Sequence, residues 1–231
     1  MENIMNVTEK TKEVLKNFSA INSSFLIRKG NKQSTVSADD TIFAEAVIPD
    51  EFSDEMGVYD LPQFLGNLSL LASPKLEFEG SVVNMIDADG FTITYRGCDK
   101  TILHYPEAEM GDTISIEKPD VSFNLGLADL QKLLKVASTN TFTHLIIFAK
   151  DGKLAIKVAD INNDTSNTGV MTLDVDVADM NFECVFKVEN LKILPMNYSV
   201  KIQKDGFAIF ENSDQTLKYI ISLEAQRKKG K

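Results

Sequence analysis

The chain has 231 residues, 43% hydrophobic and 25% charged, which suffices for one large domain or two small ones with a buried core. Its formal net charge is -10, and its two cysteines, Cys98 and Cys184, stand at no metal-type spacing, so neither a disulfide framework nor a metal site is expected. No apolar run is long enough to span a membrane, and the N-terminal MENIMNVTEKTKEVLKNF lacks the apolar core of a signal peptide, so the sequence predicts a cytoplasmic protein with no membrane contact.

In chain order, a short strand is predicted at IMNV (4–7), then a helix over about 8–20. That helix places Thr11, Val14, Leu15 and Phe18 on one arc with Val7. Lys10, Lys12, Lys16 and Asn17 lie opposite, with Glu9 and Glu13 among them. Extended segments follow, joined by Gly or Asp turns; across the chain the turns carry Gly at Gly30, Gly80, Gly90, Gly152 and Gly206, where a positive φ costs least. A second helix starts after Asp60, whose side chain suits an N-cap, with Pro62 in the first turn. Leu61, Phe64, Leu65, Leu68 and Leu71 form its apolar side. In the strand KLEFE, Leu76 and Phe78 point one way and the charges the other; turns follow at Gly80 and Gly90.

The acid-rich run PEAEMGDTISIEKPD (106–120) has no helical period and reads as a connector with one strand-like piece at 113–117. The predicted division is an N-terminal half (1–107), a connector (108–120) and a C-terminal half (121–231) ending in the basic tail QRKKGK (226–231). The second half opens with the strand VSFNL (121–125) and a helix over 127–139. Leu127, Leu130, Leu133, Leu134 and Ala137 share one side of that helix; Gln131, Lys132, Lys135 and Ser138 share the other. A further helix is read after Asn190 as N-cap, with Lys192 as its charge. The late strand FAIF alternates Phe207 and Ile209 with Ala208 and Phe210, as a strand covered on both faces would.

The two halves repeat each other. Leu15, Lys16 and Ser19 match Leu134, Lys135 and Ser138; Gly30 answers Gly152, Leu61 answers Leu191, Gly80 answers Gly206 and Asp89 answers Asp214, all at similar separations. An α+β fold results: two similar halves, each with two helices on an antiparallel sheet. A lysine-bearing helix face is ordinarily just a solvated face. Two corresponding helices that both carry lysine in an acidic chain point instead to charge sorted by face, the footprint of a phosphate partner.

No Walker, GxGxxG, HExxH, GxSxG or CxxC motif occurs, and His104 and His144 stand alone as ordinary strand or loop histidines. The pairs Asp39–Asp40 and Asp174–Asp176 lack the ligand density of a calcium loop and read as surface acids. No enzyme activity and no cofactor are expected. Without Trp or base-reading sets on the lysine helices, contact with nucleic acid would be to the backbone and insensitive to sequence.

The runs LKNFSAINSSFLIRKG (15–30), YDLPQFLGNLSLL (59–71), LADLQKLLKVAS (127–138) and YIISLEA (219–225) resemble the sliding clamps of T-even-type bacteriophages. The resemblance implies a DNA-clamp fold: a homotrimeric ring whose helices line a hole and whose sheets form the outer wall. It further implies a polymerase accessory protein that encircles double-stranded DNA and tethers the replicative DNA polymerase for processive synthesis. Lys10, Lys12, Lys16, Lys132, Lys135 and Lys192 would face the DNA. Leu223 and Ala225, with Ile114 and Ile116, would form an apolar pocket for partner peptides. An ATP-dependent clamp loader would open the ring, in the cytoplasm of an infected bacterial host. The basic tail departs from the family; its ordinary reading is a flexible solvated tail, and its functional one is added attraction to DNA during loading. The competing readings are a small-ligand-binding protein or enzyme on a duplicated α+β fold, and a structural phage protein whose repeat serves assembly.

Overall fold

Strand alternation and helix capping account for most of the elements in the computed structural model, which describes residues 4–163, 165–179 and 181–224. The chain divides into two compact units between Thr113 and Ile114.

The first unit runs β1 (Ile4–Asn6), α1 (Glu9–Ile21), β2 (Phe25–Ile27), β3 (Gly30–Val36), β4 (Ile42–Phe52) and β5 (Met56–Val58). It continues with α2 (Leu61–Ser69), β6 (Lys75–Glu79), β7 (Val82–Ile86), β8 (Thr92–Arg96) and the single turn α3 (Met110–Thr113). One antiparallel sheet has the order β1-β6-β7-β8; β3 pairs with β4, and β2 with β5. Helix α1 begins where the Thr8 side chain accepts the Thr11 N–H, and Thr8 in turn donates from its hydroxyl to Asp50 on β4 at 2.9 Å. It packs on β4 and against α2 through Val14, Leu15, Phe18 and Ile21. Full burial of Leu15 and Phe18 contributes roughly 1.5–3 kcal/mol each. Helix α2 starts as the sequence predicts: Asp60 accepts the Gln63 N–H at 2.8 Å and Pro62 occupies the first turn.

The second unit runs β9 (Val121–Leu125), α4 (Leu127–Thr139), β10 (His144–Lys150), β11 (Lys153–Ala159), β12 (Thr168–Asp176) and β13 (Glu183–Lys187). Then come β14 (Tyr198–Ile202), β15 (Phe207–Asn212) and β16 (Leu217–Ser222). Its strands pair as β12-β11-β10-β13 and β16-β15-β14-β9. Taken in order, β9, α4, β10–β13 and β14–β16 repeat β1, α1, β2–β5 and β6–β8, so the duplication is one of topology. Helix α4 packs on β11 and β12. Its N-cap position, Gly126, offers no side chain; the free Leu127 N–H donates instead to Asn197 Oδ1 at 2.7 Å.

Three expectations are corrected. No α-helix follows Asn190: residues 188–190 form a 3-10 turn, and residues 191–197 are irregular. Pro195 bars Leu194 from the helical region, so a helix begun at Leu191 would end before closing a turn. Leu191, Ile193 and Leu194 are all buried, which one face of a helix would not achieve at that spacing. The Leu194 N–H donates to the Tyr219 hydroxyl at 3.2 Å, and its carbonyl accepts from Tyr198 at 2.5 Å. Within the connector, residues 114–117 form no strand, and residues 110–113 form the helical turn α3. At the β14–β15 turn the left-handed residue is Asp205 (φ 63), not Gly206.

Gly57 and Gly97 are both required by close approach of backbone, a Cβ on Gly97 standing 2.9 Å from the Gly57 carbonyl oxygen. A Cβ on Gly57 would stand 2.5 Å from the Cys98 carbonyl oxygen, across the bridge that joins these residues. Gly57→Ala is therefore expected to cost about 1–3 kcal/mol, the penalty of overpacking against backbone, read as a lowered midpoint of urea unfolding. Both cysteines are free; burial pushes the Cys184 thiol up to about 12 and raises that of Cys98 as well, so both are poor nucleophiles.

Candidate functional site

The lysines predicted to face a polyanion fall into three groups. Lys16 on α1 and Lys132 and Lys135 on α4 are exposed and hold no carboxylate within ion-pair distance among the described residues. The two helices present them alike: Ser19 Oγ donates to the Lys16 carbonyl at 2.8 Å and Ser138 Oγ to the Lys135 carbonyl at 3.0 Å. The Leu-Lys…Ser match seen in the sequence is thus a match in local structure.

Lys10 and Lys12 differ. Lys10 Nζ lies 3.1 Å from Glu13, and Lys12 Nζ 2.8 Å from Glu9, each one helical turn away on α1. Their charges are half spent within the helix. Lys192 is exposed but stands on the irregular segment after the 3-10 turn, not on a helix.

Five of the lysines on strands and loops are held by acids, whereas the strand lysines Lys75, Lys150, Lys157 and Lys201 have no carboxylate within ion-pair distance among the described residues. Lys32 pairs with Glu45 and Asp112, Lys100 with Glu55, Lys187 with Glu189 and Glu224, and Lys204 with Asp179. Lys153 lies 2.8 Å from both Asp174 and Asp176, whose hydrogen bonds raise its pKa. Asp174 and Asp176 are thereby engaged with a cation already present. Asp39 accepts from the hydroxyls of Ser37 and Thr41 at 2.7 Å each, and these bonds hold its carboxyl below the usual range. No group of three or more His, Cys, Asp or Glu suited to a metal occurs among the described residues. No helix of the described residues is long and apolar enough to cross a membrane.

Of the residues expected in a partner pocket, Ile116 is buried and Ile114 and Leu223 are half-buried; Ala225, like the tail 226–231, lies outside the described residues. The Leu223 N–H donates to the Gly206 carbonyl at 2.9 Å, which fixes its position at the end of β16. A cavity of about 170 Å³ lies elsewhere, in the first unit, against Leu26, Met56, Gly57, Cys98 and the Glu55–Lys100 pair. Sequence reasoning missed the partner of Glu224: the side chain of buried His144 lies 3.0 Å from it. Neither residue belongs to a local motif, so no pattern in the sequence marks the pair.

Residues 7–117 match the family described as DNA polymerase processivity factor, and residues 122–225 match that described as gp45 sliding clamp, C terminal. The sliding clamp of Escherichia phage RB69 is 31% identical, over 96% of this chain and 97% of its own length. That of Enterobacteria phage T4 is 28% identical, also over 96% and 97%. In fold, the chain is similar to PCNA of A. fulgidus, solved with the C-terminal region of FEN-1 bound (TM-score 0.71, 12% identity, 97% of this chain and 99% of that one). It is also similar to the Helicobacter pylori beta clamp bound to a DNA ligase peptide (TM-score 0.64, 15% identity, 98% of this chain and 68% of that one). Duplicated topology, matched helix lysines and relatives matched across nearly their whole length converge: the chain belongs to the phage sliding-clamp family, the processivity factors of DNA polymerase.

Proposed function

We propose that three copies of this chain close into a ring around double-stranded DNA, with α1 and α4 toward the hole, and tether the replicative polymerase to its template. The observation that carries this reading is the likeness of α1 and α4 in the lysines they present. Lys16, Lys132 and Lys135 are exposed on matching helix faces with no carboxylate within ion-pair distance among the described residues, and the carbonyls of Lys16 and Lys135 each accept from a serine three residues on. Free cations gathered on the helices attract phosphate; the acidic remainder discourages DNA from adhering to the outside. Lys192 joins the lining from its irregular segment, and Lys10 and Lys12 contribute less because Glu13 and Glu9 accompany them.

Encirclement explains why weak contacts suffice. A ring is retained by topology, and each lysine that leaves one phosphate meets an equivalent one a step along, so sliding costs little. Base-specific contacts would stall it. The polymerase gains from the high effective concentration that the tether imposes at the primer end. Closure into a ring needs a head-to-tail interface. β8 in the first unit and β12 in the second each end a sheet, and such edges offer rows of peptide groups to a neighbouring copy. Partner peptides from the polymerase and other factors are assigned to the apolar patch of Leu223, Ala225, Ile114 and Ile116. An ATP-dependent loader opens the ring in the cytoplasm of the infected bacterium.

Two measurements test this. Sedimentation equilibrium is expected to give a mass near three subunits, with dissociation on dilution. Loaded with loader and ATP, the protein is expected to stay on nicked circular DNA and run off the same DNA once linearised. Equal retention on both forms would show adhesion rather than encirclement and overturn the reading.

A further inference from the structure

The chain leaves β16 by a short, heavily tied segment. Leu223 donates its N–H to Gly206 at the β14–β15 turn, and the next residue, Glu224, donates its N–H to the Val185 carbonyl on β13 at 2.9 Å. Within two residues the backbone thus passes from one sheet of the second unit to the edge of the other. The side chain of Glu224 makes the second tie: its carboxylate lies 3.0 Å from His144 Nε2 and 3.8 Å from Lys187 Nζ. His144 and Lys187 are cross-strand partners on β10 and β13, so one carboxylate spans both. His144 is only 6% exposed, yet its ring has a partner at each nitrogen. Thr143 Oγ1 lies 2.7 Å from Nδ1 and donates to Asp160 at 3.2 Å, so the ring is held at Nδ1 on one side and by Glu224 at Nε2 on the other.

Neither His144 nor Lys187 belongs to the helix faces or to the apolar patch. A buried imidazole bonded at both nitrogens and tied to Glu224, just beyond β16, needs another use. We infer that His144 and Glu224 are positioning residues for partner binding: their pairing fixes the backbone at 223–224, and so presets Leu223 for a partner's side chain. Neither touches the partner; both act through the backbone of 223–224. The inference rests on the assignment of the patch around Leu223.

The test uses the full chain assembled as it occurs in solution, with the phage's own purified replicative polymerase as probe in surface plasmon resonance. Glu224→Ala and His144→Ala are each expected to weaken polymerase binding about tenfold, and the double variant no more than either alone, since both remove one interaction. Glu224→Gln, whose side-chain amide can both donate to and accept from Nε2, is expected to restore most of the affinity, a rescue that a general loss of stability would not produce. Amide exchange at residues 223 and 224, measured without polymerase, is expected to rise in the two alanine variants and to stay near wild type in Glu224→Gln. Leu223→Asp separates the two claims. If it abolishes binding while Glu224→Ala and His144→Ala bind as wild type, or if exchange at 223–224 does not change, the positioning role is overturned and the patch stands. If Leu223→Asp binds as wild type, the patch assignment is overturned, and the role in partner binding falls with it.

Discussion

A variant carrying Lys16→Glu, Lys132→Glu and Lys135→Glu is expected to load onto DNA at least about tenfold more slowly at physiological salt, because every reversed charge both removes a phosphate contact and adds a repulsion. Its processivity, measured as product length in single-turnover primer extension, should fall in step. Its stability should not: these side chains are exposed and unpaired, and surface changes of this kind stay within about 0.5 kcal/mol each. The control is the pair Lys10→Glu with Lys12→Glu. Glu13 and Glu9 already offset those lysines, so the loss should be smaller, even though reversal also places like charges one turn apart on α1. Equal loss from the two sets would mean that total charge, and not its placement, governs loading. Normal loading by the triple variant would remove the lysine argument altogether.

The second large effect lies in the core of the C-terminal unit. Tyr198→Phe combined with Tyr219→Phe is expected to lower stability by roughly 2–5 kcal/mol, since the Leu194 N–H and carbonyl each lose their partner in a buried setting. The rings themselves would remain, still edge-on to one another at 6.1 Å and, for residue 198, to Phe210 at 6.2 Å. The loss would therefore report on the hydroxyls alone. Urea unfolding should show a lower midpoint at unchanged slope. A shift below about 0.5 kcal/mol would show that the 191–195 segment satisfies its backbone in another way. Because Lys192 sits on that segment, the single variants also test whether its placement matters to loading.

The sequence made the duplication and the amphipathic helices legible because both are local. A 3.6-residue period is written within a dozen residues, and the Ser19 and Ser138 bonds to the carbonyls three residues back occur wherever that spacing recurs. The turn sites at Gly30, Gly80, Gly90 and Gly152 were equally readable, as all four adopt positive φ. The missing helix after Asn190 shows where such reading ends. VENLKIL has the look of its counterpart YDLPQFL, yet Pro62 falls in the first turn of α2 while Pro195 falls where the second turn would form. The same residue type starts one segment and stops the other. The spacing of Lys10 to Glu13 and of Glu9 to Lys12 is equally local, and the ion pairs it permits do form. The bond from His144 to Glu224 had no local sign at all, because it joins the first residue of β10 to the segment beyond β16.

The two helix starts carry one more consequence, for the order of events in folding. Thr8 supplies α1 with an acceptor from the adjoining residue, so that helix holds its own nucleating contact. α4 borrows its acceptor from Asn197, a residue 70 positions away, and gains it only once the intervening chain has been drawn together. Twin helices in the finished protein are thus unequal on the way there: α1 is placed to form early and α4 late, and the loop-closure entropy of the C-terminal unit sets its pace.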